Sequence, residues 1–189
     1  LSAGAEESPQ PDSPSETVRL TLSMNIARDV WIMTDWSQPP QVAVWLEDPS
    51  GSTVRTLFVT HRTGAGDWKG KAGCDVSLPY WVGRYNVETD TSGPPTFQRP
   101  VVDAISQPTP KESLVVTTSV PSGSQWRYFI EVNVSGDFNE AFPERRDDGR
   151  PDEAGNGQPS LVYEGSIRAI PGQQDTPKLI GRTEQFRAV

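Results

Sequence analysis

From Thr17 onward, apolar and polar residues alternate along the chain. Val18, Leu20, Leu22, Met24 and Ile26 interleave with Thr17, Arg19, Thr21, Ser23 and Asn25. That period of two predicts a half-buried strand, because successive strand side chains point to opposite faces. The alternation is sharpest where Trp126, Tyr128, Ile130, Val132 and Val134 interleave with Arg127, Phe129, Glu131 and Asn133. β-prone runs at 41–47 and 53–60 flank Asp48-Pro-Ser-Gly51 and predict a hairpin. Segments 80–88, 113–120, 160–168 and 178–182 complete the predicted strands. No window carries a 3.6-residue apolar stripe bounded by caps.

About seven to nine short strands separated by Pro- and Gly-rich turns predict an all-β fold, an antiparallel immunoglobulin-like β-sandwich. Only the architecture is meant, since one Cys cannot form the inter-sheet disulfide of true immunoglobulin domains. Two long loops, 61–79 and 136–159, interrupt the pattern. Loops of that length are functional or disordered, so a site is sought there first. Residues 1–16, rich in Ser, Pro and Glu, cannot bury enough surface to offset their ordering entropy. They read as a disordered tether, leaving 17–189 as a single domain. The tether has no basic n-region or apolar h-region. It is expected to follow a removed signal sequence or a lipid-anchored Cys, which predicts a periplasmic or extracellular protein.

Composition narrows the chemistry. One Cys and one His exclude multi-cysteine and multi-histidine metal centres. A net charge of −8 argues against nucleic acid as a partner. No apolar run is long enough for a membrane span. Gly64-Ala-Gly-Asp-Trp-Lys-Gly70-Lys71 fails as a phosphate loop, since Ala65 stands where Gly is needed and Ala72 where Ser or Thr is needed. His61 and Cys74 share a loop and could pair as base and nucleophile. A loop His and a small buried Cys is the plainer reading. Asp90-Thr-Ser-Gly93 misses the aspartic-protease triplet and has no second copy to form a dyad. Asp137, Asn139, Glu140, Asp147, Asp148 and Asp152 offer hard oxygens for calcium, without EF-hand spacing. Arg145, Arg146 and Arg150 lie among them, so a solvated, self-paired loop is the simpler expectation. Of the six Trp residues, Trp68 and Trp81 lie near the first long loop. They are the candidates for exposed rings that could stack on a carbohydrate.

Two series of strings carry a family likeness. The first is Pro40-Gln-Val-Ala-Val-Trp-Leu-Glu47, Val54-Arg-Thr-Leu57, Leu78-Pro-Tyr-Trp81, Val102-Asp-Ala-Ile-Ser106 and Thr109-Pro-Lys111. The second is Tyr128-Phe-Ile-Glu-Val-Asn133, Asp137-Phe-Asn139 and Gly157-Gln-Pro-Ser-Leu-Val-Tyr163. Their order resembles a bacterial family of predicted periplasmic proteins, a domain of unknown function. Members are often encoded beside, or fused to, FAD:protein FMN transferases and PepSY-type membrane proteins. The resemblance spans about 17–182 and implies an exported β-sandwich, related in outline to the immunoglobulin-like domain of flagellar hook-capping proteins. It also implies a comparison with flavin acceptors of the type Asp-x-x-Ser-Gly-Ala-Thr. Asp103, Ser106 and Thr109 keep the spacing, while Gln107 and Pro108 replace the Gly-Ala pair. Thr109 is therefore the candidate flavin acceptor. The plainer role of 103–111 is a structural connection, with Asp103 in turn hydrogen bonds.

The expected function is a non-catalytic exported accessory or binding module of the bacterial cell envelope, in a redox or metal-handling system and with a protein partner there. One alternative is a covalent flavin carrier or enzyme using loops 61–81 and 103–109. Another is a calcium-stabilised or carbohydrate-binding adhesion module.

Overall fold

The computed structural model describes residues 16–67, 77–101, 105–107, 109–145, 147–151 and 157–182. Among these residues, eight strands fall into two sheets. A two-stranded sheet pairs β1 (Thr17–Asn25) with β5 (Ser113–Pro121). A six-stranded sheet has the order β4-β3-β2-β6-β7-β8, with β2 (Gln41–Glu47), β3 (Val54–Thr60), β4 (Ile105–Gln107), β6 (Gln125–Asn133), β7 (Leu161–Arg168) and β8 (Lys178–Arg182). All pairings are antiparallel except β3 with β4. The fold is thus mostly β, with two antiparallel layers packed face to face.

The β2–β3 hairpin forms as its turn chemistry predicts. The Asp48 carbonyl accepts from the Gly51 N–H at 2.9 Å, and the Asp48 carboxylate accepts from the Thr53 N–H at 2.8 Å. A bulge in β3 opposes Val44 to Phe58 and Trp45 to Thr56, leaving Leu57 as the extra residue.

Every residue of β2 is buried because the six-stranded sheet is covered on both faces at this strand. On one face Val42, Val44, Leu46, Phe58, Tyr128 and Ile130 meet Leu20, Leu114, Val116 and Val120 from the two-stranded layer. On the other, Ala43, Trp45, Val59, Phe129 and Val162 pack beneath Leu78, Trp81 and Tyr85. Trp45 and Phe129 stack at 5.2 Å between centroids.

That second face carries the main departure from the sequence reading. Residues 80–88 are not a strand but belong to a helix, α3 (Pro79–Thr89), with Trp81 and Tyr85 turned to the sheet. Pro79 is at its start, where a missing N–H costs nothing. Its aromatic and β-branched residues look strand-like because they are common to strands and to buried helix faces. Two further short helices, α1 (Arg28–Trp31) and α2 (His61–Ala65), lie at the ends of strands. So loop 61–79 is partly helical. Among the described residues, no helix is long and apolar enough to cross a membrane.

Candidate functional site

The helix-covered face holds the most strongly perturbed carboxylate. Glu131, on β6, has no solvent exposure. Its carboxylate accepts from the Trp81 N–H at 2.6 Å, the Tyr80 N–H at 3.2 Å and the Ser160 hydroxyl at 2.6 Å. The first turn of any helix leaves N–H groups without intrahelical partners. Leu78, at the N-cap of α3, supplies no side-chain cap, and Glu131 does so from the sheet below. Burial pushes its carboxyl from 4.5 up to about 7, while the three hydrogen bonds pull it back down.

Glu47 works the same way at the other side of the helix. It accepts from Trp45 Nε1–H at 2.9 Å and from Arg84 Nε–H at 2.7 Å. Arg127 lies 3.8 Å from Glu47 and donates to Glu164 at 2.6 Å. That hydrogen bond raises the already high pKa of Arg127 further. The ladder ties α3 to β2, β6 and β7. Glu88 completes it by accepting from the Thr56 N–H at 2.8 Å and from the Thr56 hydroxyl, which in turn accepts from Trp81 Nε1–H. These acids are committed to holding a helix on a sheet.

One buried polar group stands outside this pattern. Asn133 is 2% exposed and, among the described residues, neither polar atom of its amide has a hydrogen-bond partner. Gln41 lies opposite it in register, but the Gln41 carbonyl oxygen already accepts from Thr60 and Thr63. A buried amide without partners costs roughly 1–3 kcal/mol on protein mutational scales. Asn133→Val is therefore expected to raise unfolding stability by about 1 kcal/mol after the fit of its slightly larger, branched side chain is allowed for. Urea denaturation checks this, and a loss of stability would show that the amide has a structural role.

The structure disperses the residues proposed for calcium. Asp137 is half-buried and faces inward, accepting from the Gln158 N–H at 2.8 Å, while its backbone carbonyl accepts from Gln158 Nε2–H at 3.0 Å. Burial raises its carboxyl to about 6. A Cβ on Gly157 would press on the Asp137 backbone and carboxylate, so glycine is required for this close approach. The Asp137 and Gly157-Gln158 strings thus meet as a clasp joining the two ends of the acidic loop. Asn139 accepts from the Ala141 and Phe142 N–H groups, both at 2.9 Å, as a local turn. Glu140 and Asp147 are exposed, and Asp148 pairs with Arg150 at 2.9 Å. Asp152 lies outside the described residues. Among those described, no three His, Cys, Asp or Glu residues form a metal-holding group. Of the calcium candidates, Asp137 is thus held in a clasp and Asp148 is paired within its own loop.

Trp81 also requires correction. It is fully buried, stacks on Tyr85 at 5.3 Å between centroids, and offers no face to a sugar. Trp68, Cys74 and Asp103 lie outside the described residues. His61 opens α2, with Nε2 3.7 Å from Asp67. Thr109 is half-buried, two positions beyond the end of β4.

The opposite face of the large sheet holds a feature with no local signature in the chain. Two strands spaced about 4.8 Å apart cannot cover six, so the β1–β5 layer leaves the sheet beyond β6 partly bare. A cavity of about 480 Å³ opens there between residues 18–23 of β1 and segment 170–177, with Leu46, Tyr128, Ile130 and Ile167 as its floor. A second, of about 430 Å³, adjoins it and shares Ile130 and Pro177. It is floored by Val132, Leu161 and Tyr163 and closed at one end by Trp31. Together they form a groove beside residues 18–25 of β1, mixed in polarity at its first cavity and mostly apolar at its second. Its far wall is anchored by Asp175, which accepts from the Tyr128 hydroxyl at 3.0 Å and the Ser166 N–H at 2.9 Å. Burial and this carboxylate both keep the Tyr128 phenol protonated. The contact needs Gly165, where a Cβ would overlap the Tyr128 ring and the Asp175 carboxylate.

Compared with models of known families, with curated proteins and with solved structures, the chain matches none. The reading of the binding surface therefore rests on this geometry.

Proposed function

We propose that the chain is a non-catalytic binding module of the bacterial cell envelope and that the groove beside β1 is its binding surface. The observation that carries this reading is the groove itself: open, apolar along its floor, and running beside residues 18–25 of β1. Ligand sites are concave and mostly apolar, with a few polar groups to set orientation. The carboxylates of the other face support a scaffold role, since Glu131 and Glu47 spend their acceptors on α3. The immunoglobulin-like type and the exported location belong to the same proposal. The first is supported by the two-layer β architecture and the second by the family resemblance.

Site-specific photo-crosslinking in an envelope fraction tests the binding surface. A photoreactive side chain at Leu161, in the groove floor and 39% exposed, is expected to give one discrete adduct. The same group at Val87, 50% exposed on α3, is expected to give none. Equal labelling from both positions, or none from Leu161, would overturn the reading.

A further inference from the structure

We infer that the groove takes one extended peptide segment of a partner protein, which adds as a third strand to the edge of β1. The inference rests on the groove being the binding surface and names the form of its occupant.

Hydrogen-bond parity along β1 carries the argument. In an antiparallel strand, a residue's N–H and C=O point to the same side, and the sides alternate along the chain. The Glu16 carbonyl accepts from Ser122 at 2.7 Å, and the Ile26 N–H donates to Glu112 at 2.8 Å. Both ends of β1 therefore place the even-numbered residues toward β5. The backbone groups of Thr17, Arg19, Thr21, Ser23 and Asn25 then point the other way. Among the described residues β1 pairs with β5 alone, so these groups face the groove without a ladder partner. The β5 parity agrees, because its odd-numbered Ser119 turns its carbonyl outward to accept from Arg55 at 3.2 Å.

An unpaired row of N–H and C=O groups is a template for an extended backbone. The apolar floor adds the second element of strand addition, a surface for alternate side chains. Those pointing down would meet Ile167 and Tyr128 in one cavity and Val132 and Leu161 in the other. Those pointing up would lie beside the exposed Thr21 and Ser23. The partner segment is thus an uncharged or weakly charged strand with apolar residues at every second position.

The far wall selects between occupants. Pairing of β1 with β1 of a second copy would bring that copy's β5 in behind it, a two-strand width. Segment 170–177, held to the sheet by Asp175, lines the first cavity together with β1, so that second strand would have to displace it. A single added strand brings no second strand against that wall.

The test uses the full chain and a synthetic peptide of about ten residues, a length that spans β1 at ~3.3 Å per residue. The peptide carries Val and Leu at alternate positions with Thr and Lys between, and binding is read by fluorescence anisotropy and amide hydrogen exchange. Saturable binding is expected, with the amides of Arg19, Thr21 and Ser23 exchanging fast in the free chain and slowing when peptide is added. Those of Leu20 and Leu22 are expected to be slow throughout. Thr21→Pro removes one groove-facing N–H and no β1–β5 bond, a placement an edge strand tolerates. It is expected to weaken binding at least about tenfold.

Three results would overturn the inference. One is peptide binding with no slowing at the odd-numbered amides; the groove would then still bind, and only the strand would fail. Another is wild-type affinity in a folded Thr21→Pro chain. The third is a dimer whose odd-numbered amides are already slow without peptide, which would make a second copy the occupant. If Thr21→Pro does not fold, the exchange pattern of the wild-type chain decides by itself.

Discussion

Glu131→Ala is expected to lower unfolding stability by about 3–5 kcal/mol, since three buried donors lose their acceptor at ~1–3 kcal/mol each and a cavity is left behind. The donors are the N–H groups of Tyr80 and Trp81 and the Ser160 hydroxyl. Relief of the carboxylate's desolvation offsets part of the loss. Urea denaturation with circular dichroism reads the effect, and a loss under about 1 kcal/mol would mean that α3 is held by its apolar face alone.

The same residue gives a pH dependence of definite sign. The folded-state carboxyl titrates at about 7 against 4.5 for an unperturbed group, so the folded chain holds this proton more tightly than the unfolded one. Its contribution to stability is full below about 4.5 and is lost as pH rises through about 7. A shift of that size corresponds to roughly 3 kcal/mol across the window. Asp137, raised to about 6 from 3.8, contributes in the same direction over a lower range. Glu131→Gln imitates the protonated carboxyl. It lacks this titration, so the wild-type chain should lose stability relative to it between about pH 5 and pH 8, on top of a constant offset from replacing one acceptor oxygen by a donor. Parallel stability curves for the two proteins between those limits would refute the assignment.

Trp81→Ala is the second large expectation, a loss of about 3–5 kcal/mol typical of a deleted core Trp. The indole is fully buried, stacked on Tyr85, and donates to Thr56 at 3.2 Å. Trp81→Phe keeps most of the volume and gives up that hydrogen bond, so it should cost about 1–2 kcal/mol. Thermal unfolding followed by Trp fluorescence separates the two variants. A sugar-stacking ring would behave otherwise, since its removal would abolish binding and leave stability within about 0.5 kcal/mol.

These residues also show what could be read from the chain and what could not. The strands β1, β2, β3, β5, β6, β7 and β8 are legible because side-chain alternation is a local property, visible in any window of a few residues. The hairpin at Asp48–Gly51 is legible for the same reason. The helix at Pro79–Thr89 is not, because its capping carboxylate comes from Glu131, 50 residues away from Trp81 in sequence. Without that partner, the run Tyr80-Trp-Val82 looks like another strand. The arrangement of the acidic loop is illegible in the same way. Composition counts oxygens, but only the fold turns Asp137 toward Gln158 and pairs Asp148 with Arg150.

By itself the sequence determined a β-rich chain, the placement of most of its strands, and a chemistry poor in Cys and His. The tertiary structure alone decided that the groove exists. It arises where a two-stranded layer lies on a six-stranded sheet, and no single strand records how many others will lie beside it. The unpaired edge of β1 has the same origin: pairing is a relation between segments far apart in the chain, fixed only when they meet.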